Sequence, residues 1–283
     1  MKKLIIILMA VFALYGCQPK EEATLIIGGI PDQNASTLTE RFDELANYIE
    51  EQTGIKTEYA PSMDYAALVT AFGREDVQLG WFGGLTGVQA RALVEGSEAI
   101  AHRPRDAEFE SVFIYNKSNE ITSLEDLKGL SFTFGSENST SGHLMPRFFL
   151  METGITPEDD FSQIPNYSGS HDKTWKLVES GTFDAGALNI AVWESAVLEN
   201  KVDLSKVDVF YTTPPYFDYN WSISNVDETF GKGSKDKIKA ALLSFGQDNP
   251  EIMALFQDES FVETNNDNYK AILDVAKSLN IIE

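Results

Sequence analysis

Thr24-Leu-Ile-Ile-Gly-Gly-Ile30 is a short apolar run ending in glycine, the pattern of a strand buried on both faces. The segments after it set the fold class. Thr39 to Gln52 carries Phe42, Leu45 and Ile49 at helical spacing, with Gly54 just past its end. Thr57-Glu-Tyr-Ala60 returns to strand, and Asp64 or Ser62 caps a helix from Tyr65 to Phe72. Val77-Gln-Leu-Gly-Trp-Phe82 reads as a third strand and Thr86 to Val94 as a third helix. A βαβαβα alternation of this kind predicts a parallel sheet with helices on both faces.

A second alternation begins further on. Ser111-Val-Phe-Ile-Tyr115 reads as a strand leaving the first unit, and residues 116–129 as a connection. Leu130 to Phe134 is a strand, Gly142 to Thr153 a helix stopped by Gly154, and Trp175 to Ser180 a helix. Ala185 to Ile190 and Val207 to Thr212 are further strands with a helix between them. The tail from Lys235 to Leu279 is helical in pieces broken at Asn249-Pro250. The expected architecture is α/β in two lobes, lobe 1 from residues 24–115 plus 216–283 and lobe 2 from residues 116–215. The hinges are expected near Tyr115 and Thr212, and the site in the cleft between the lobes. At 283 residues the chain has ample length for two such cores.

The first residues read differently. Lys2 and Lys3 precede a short apolar run, Leu4 to Leu14, too short to cross a bilayer comfortably. Leu14-Tyr15-Gly16-Cys17 then resembles a bacterial lipobox, and Cys17 is the only cysteine of the chain. Residues 1–16 are therefore expected to be a signal peptide, Cys17 the site of lipidation and residues 17–23 a polar tether. An exported protein of the periplasm or cell envelope, held at the membrane by its lipid, is the expectation from that reading. With 22 Lys and Arg against 44 Asp and Glu the net charge is −22, which argues against nucleic-acid binding. The three histidines, His102, His143 and His171, have no metal-ligand spacing, so neither a metal nor a cofactor is expected.

The densest local signal is Phe134-Gly-Ser-Glu-Asn-Ser-Thr-Ser-Gly-His-Leu-Met-Pro-Arg147, a strand end running through hydroxyl side chains into a helix. Unpaired amide hydrogens and a partial positive charge at a helix start suit an anion, and Ser139, Thr140 and Ser141 add donors there. Simple helix capping favours the same residue types. The loop lacks the Gly-Lys-Ser/Thr element of a nucleotide-binding P-loop. A second cluster, Ser168-Gly-Ser-His-Asp172, sets His171 in a small-residue loop before a helix.

These motifs, with Asp64-Tyr-Ala-Ala67 and Asp184-Ala-Gly-Ala187, resemble the phosphate/phosphite/phosphonate substrate-binding proteins of ABC importers. The resemblance covers the chain from about Thr24 to about Phe256. It implies the two-lobed periplasmic-binding-protein fold of type II, a hinge between βα lobes, and a monomer that captures a small tetrahedral oxyanion. It further implies delivery to an ABC permease and its ATPase. The ligand-holding positions it implies are Ser139, Thr140, Ser141, His171, Tyr65 and Asp218. One departure stands out. Family members often carry Gly-Pro-x-x-Tyr after the third strand, where this chain has Gly83-Gly-Leu-Thr-Gly87; that stretch is similar to a subgroup labelled selenate-binding. Loss of the phenol is expected to widen that wall or leave it to water, so phosphonate, phosphite, phosphate and selenate stay open.

Two rival readings exist. Ser139, His171 and Asp172 or Asp218 form a nominal hydrolytic triad, but Ser139 lacks a Gly-x-Ser-x-Gly elbow. The run Tyr211, Tyr216, Phe217, Tyr219 and Trp221 is either lobe and hinge packing or an aromatic cage for a cation.

Overall fold

The computed structural model describes residues 23–282. The expected signal peptide, the expected lipidation site Cys17 and the expected tether up to Glu22 lie outside the described residues. Eleven strands are found among them: β1 (Leu25–Gly29), β2 (Thr57–Tyr59), β3 (Leu79–Phe82), β4 (Glu98–His102), β5 (Ser111–Asn116), β6 (Phe132–Phe134), β7 (Asn166–Tyr167), β8 (Ala185–Asn189), β9 (Val207–Thr212), β10 (Asn220–Ile223) and β11 (Val262–Glu263). They form two sheets, β11-β4-β10-β3-β1-β2 and β7-β6-β8-β5-β9.

The expected parallel alternation holds for β2, β1 and β3, with Ile27 opposite both Tyr59 and Leu79. The helices Ala35–Thr53 and Tyr65–Gly73 connect them, and Gly84–Leu93 leads from β3 to β4. The first of these buries Leu38, Phe42, Leu45 and Ile49, starts at the Asn34 cap and ends at Gly54 in the left-handed region, where glycine is unstrained. In the second sheet β6 runs parallel to β7 and β8, whereas β5 runs antiparallel to β8 and β9.

Sequence pattern puts Ser111–Tyr115 at the end of lobe 1, but the strand Ser111–Asn116 pairs along its whole length with β8 and β9 and so belongs to the second sheet. Its buried Val112, Phe113 and Ile114 suit a strand covered on both faces, which is why pattern alone does not assign it to one sheet or the other. The chain therefore crosses at residues 103–110 and returns at 213–219, not at Tyr115 and Thr212. β10 then inserts antiparallel between β3 and β4. The two crossings hydrogen-bond to each other: Phe109 and Tyr216 exchange backbone bonds of 2.8 and 2.9 Å, and the Asp218 N–H donates to the Asp106 carbonyl at 3.0 Å.

Lobe 1 is packed around an aromatic cluster in which Trp81 meets Tyr219, Trp221, Phe256 and Phe261 at centroid distances of 5.2–5.8 Å. The last long helices, Ser234–Asp248 and Lys270–Ser278, cover this sheet. Gly246 is where the chain at Glu259–Ser260 comes closest to the first of them; a Cβ there would lie 2.3 Å from the Glu259 carbonyl oxygen. Gly246→Ala is expected to cost about 2 kcal/mol and to lower Tm by roughly 4–8 °C, as read by calorimetry of the whole protein.

Candidate functional site

Helix starts converge between the lobes. Tyr65 is the first residue of its helix, capped by Asp64, whose carboxylate accepts from the Ala67 N–H at 2.7 Å. Gly84 opens the third helix of lobe 1, and His171 is the first residue of the helix His171–Glu179. From the second lobe comes the element singled out in the sequence. Ser139 caps it by accepting from the Gly142 N–H at 2.9 Å; Thr140–Leu144 forms one wide π-helical turn that runs on as the α-helix Met145–Glu152. Such turns are often found at functional sites.

Contacts across the cleft bring these ends together. The Leu85 N–H donates to Thr140 Oγ1 at 2.9 Å, and the Gly84 N–H donates to Asp218 Oδ1 at 2.9 Å. The His171 N–H donates to the Asp32 carbonyl at 3.2 Å. The His171 ring lies against Gly142 and Gly135, where an added Cβ would come within 3.0–3.6 Å of it. All six expected positions, Tyr65, Ser139, Thr140, Ser141, His171 and Asp218, are at most 2 % exposed and share this one interlobe region.

Protonation states follow from burial. Desolvation pushes His171 down to about 4, so the ring is neutral at pH 7. Its Nδ1 accepts from the Asn189 N–H at 3.3 Å, which leaves the hydrogen on Nε2. Asp218 is pushed up to about 7 by burial, opposed by the Gly84 N–H and by the Thr140 and Ser141 hydroxyls. Tyr65 is raised well above its ordinary value by burial and by Asp32 and Asp218, while the neighbouring Ser139 hydroxyl slightly favours the phenolate. Two site atoms are buried with no hydrogen-bond partner among the described residues: Tyr65 Oη and Asp218 Oδ2. One is a donor, and the other, when ionised, is an acceptor, so the pair suits a guest with both a bare oxygen and an O–H.

Sequence reasoning missed three participants. Asn189 caps the helix Ile190–Leu198 and touches His171; Tyr219 lies beside both; Asp32 supplies the carbonyl that holds the His171 helix start. Tyr219 was visible only as one aromatic in a run of five. That run is dispersed: Tyr211 packs on Phe113, Phe217 beside Tyr269, and Trp221 in the lobe 1 core, so it builds no cage. At Gly87 itself the fold leaves no room for a side chain. A Cβ there would lie 2.8 Å from Asn220 Nδ2 and 2.9 Å from an Arg91 nitrogen, so these side chains fill the space. Arg91 is fixed there by Asn220 and Ser222 and lies over the Tyr269 ring. No cluster of three or more His, Cys, Asp or Glu side chains suited to a metal exists among the described residues.

The family description "ABC transporter, phosphonate, periplasmic substrate-binding protein" matches residues 27–269. The chain belongs to that family. A probable ABC transporter phosphite binding protein of Prochlorococcus marinus is 40% identical over 268 residues, covering 91% of this chain and 90% of the relative. The solved structure of the Prochlorococcus marinus homologue in complex with methylphosphonate superposes with a TM-score of 0.87 at 40% identity, over 92% of this chain and 99% of that one. The phosphonates-binding periplasmic protein of Escherichia coli is 25% identical over 84% of this chain and 70% of its own. These relatives are transport components of the phosphonate substrate-binding family.

The raised Asp218 bears on stability. Its folded value, about 7, lies above the ordinary carboxylate value of 3.8, so it favours the fold at acid pH and that contribution is lost as pH rises toward 7. Asp218→Asn is therefore expected to raise the Tm of the ligand-free protein at pH 8. The gain should shrink between pH 7 and pH 4 and vanish below pH 4, as followed by thermal melts across pH.

Proposed function

We propose that this chain captures a small, singly protonated tetrahedral oxyanion of the phosphonate, phosphite and phosphate class in the closed interlobe site, and passes it to an ABC permease driven by its ATPase. The observation that carries this reading is the pair of buried, unpartnered atoms in the interlobe region, Tyr65 Oη and Asp218 Oδ2. Ser139, Thr140, Ser141 and the Nε2–H of His171 supply the remaining donors. The Thr140 and Ser141 amide hydrogens have no acceptor among the described residues. Ser139 is already occupied as a cap, which speaks against its use as a hydrolytic nucleophile; the protein works as a carrier.

Asp218 sets which anion fits. An ionised carboxylate accepts from a P–OH and repels sulfate or selenate, which carry no proton at neutral pH. The methylphosphonate bound by the Prochlorococcus relative belongs to the accepted group. In this reading the protein is exported to the periplasm or cell envelope and tethered through lipid on Cys17. Its lobes, hinged at the crossings 103–110 and 213–219, close on the ligand as a monomer.

Calorimetry against phosphate, phosphite, methylphosphonate, aminoethylphosphonate, sulfate and selenate tests the reading. Binding is expected for members of the phosphorus group and for neither sulfate nor selenate, and X-ray scattering should show compaction with the ligand that binds. Asp218→Asn should weaken the phosphorus ligands about ten- to hundredfold and narrow the gap to sulfate. Equal affinity of the unaltered protein for sulfate and phosphonate would sink the proposed selectivity.

A further inference from the structure

His143 is buried within the π-helical turn of the Ser139–Ser141 element, yet the capture of a ligand does not use it. Its neighbours fix its tautomer. Arginine has no acceptor, and the Arg147 Nε–H donates to His143 Nε2 at 2.9 Å, so the ring hydrogen sits on Nδ1. Tyr167 Oη accepts from an Arg147 nitrogen at 3.2 Å and lies 3.2 Å from the same Nε2, to which it gives its own hydrogen. Burial pushes the imidazole down to about 4, which keeps it neutral at pH 7. The Nδ1–H is therefore free to donate to the Glu137 carbonyl at 2.6 Å, six residues back along the chain. Behind the ring, Glu158 holds Arg147 through both carboxylate oxygens at 2.6 and 2.9 Å.

This relay holds the loop that leads from strand to helix. Among the described residues, residues 136–138 are otherwise bonded only within the loop: the Ser139 N–H donates to the Ser136 carbonyl at 2.9 Å, and the Asn138 N–H to Ser136 Oγ at 3.4 Å. The Glu137 carbonyl is the point at which they are tied to the helix. The turn that follows is the uncommon π type, in which the Leu144 N–H donates to the Ser139 carbonyl at 2.9 Å and the Met145 N–H to the Thr140 carbonyl. None of the hydrogen-bond partners of the His143 ring is one of the six ligand-holding positions. Glu137, Arg147, Glu158 and Tyr167 all belong to lobe 2, so the clasp does not depend on closure of the lobes.

We propose that His143 is a positioning residue for the oxyanion site: its Nδ1–H, directed by Arg147, clasps the Glu137 carbonyl and presets the Ser139–Ser141 donors before the ligand arrives. This rests on the reading that an oxyanion binds in this cleft. A loop held ready raises the fraction of molecules competent to bind, and losing the clasp weakens apparent affinity by that fraction.

The test uses the mature, full-length protein, with methylphosphonate as titrant in calorimetry and in stopped-flow binding. His143→Leu removes the clasp; Kd is expected to rise about five- to twentyfold, mainly through slower association, with the Thr140 and Ser141 amides exchanging faster in the ligand-free protein. His143→Asn places an amide nitrogen close to where Nδ1 stood, and is expected to restore Kd to within about threefold. Arg147→Met frees the ring hydrogen to move to Nε2; Kd is expected to rise about three- to tenfold alone and little further in the His143→Leu background. A Kd for folded His143→Leu within twofold of the unaltered protein overturns the inference. So does a loss confined to the dissociation rate, or an equal loss from His143→Asn. Should His143→Leu fail to fold, a Kd for Arg147→Met within twofold overturns it instead. If the unaltered protein binds no oxyanion, the carrier reading fails. If it binds, and loses affinity with Ser141→Ala but not with His143→Leu, only the present inference fails.

Discussion

Two helix starts face each other across the cleft, and the rest of the site depends on how that opposition is relieved. The helix Gly84–Leu93 of lobe 1 and the helix beginning at Thr140 in lobe 2 both point their partly positive ends at the same small volume. Bringing them together is unfavourable unless negative charge or acceptor oxygen lies between. Asp218 provides it for one side by accepting the Gly84 N–H, and Thr140 Oγ1 accepts the Leu85 N–H from the other lobe. The amides of Thr140 and Ser141 have no acceptor among the described residues. The same geometry explains how a chain with a net charge of −22 can hold an anion. The field that matters is set by oriented N–H groups within a few ångströms, whereas distant surface carboxylates are screened by salt.

The buried arginines near the site contribute less charge than their number suggests. Arg41 is paired with Asp32 at 3.2 Å and Arg103 with Asp106 at 2.6 Å, so each pair is close to neutral as a unit. Their effect is through shape and through the aromatic rings they cover, Phe42 and Phe256 for Arg41, Trp81 and Tyr219 for Arg103. An anion bound without a direct arginine or lysine contact is gripped by neutral donors, each of which is stronger in a dry site than in water.

Much of this was legible in the sequence because it rests on local rules. The Ser-Thr-Ser run and the His171 loop announce helix starts through capping residues, and Ile27, Phe42 and Leu45 announce their elements through periodicity. What was not legible depends on distant pairing. β10, Asn220–Ile223, is a short strand that exists only because β3 and β4 flank it. β5 has the apolar face of any doubly covered strand, and only its partners say which sheet it joins. Tyr219 looked like hinge packing because half of it is: the ring stacks on Trp81 in the lobe 1 core while the hydroxyl accepts from Asn189 of the second lobe.

Gly87 shows why a missing side chain in one sequence is not by itself a hole. Read alone, the change from tyrosine to glycine removes a phenol and opens a wall. In the fold, Asn220 and Arg91 already occupy the position a Cβ would take, and Arg91 is locked by Ser222 and the Tyr269 ring. Burial also lowers Arg91 to about 10, a group that still carries its charge at neutral pH and is best placed where polar partners surround it. The glycine is thus the complement of an arginine–asparagine pair rather than the loss of a ligand contact. The polar groups beside it come from the crossing that joins the lobes, where Asp218 accepts from Gly84 and the next residue, Tyr219, accepts from Asn189.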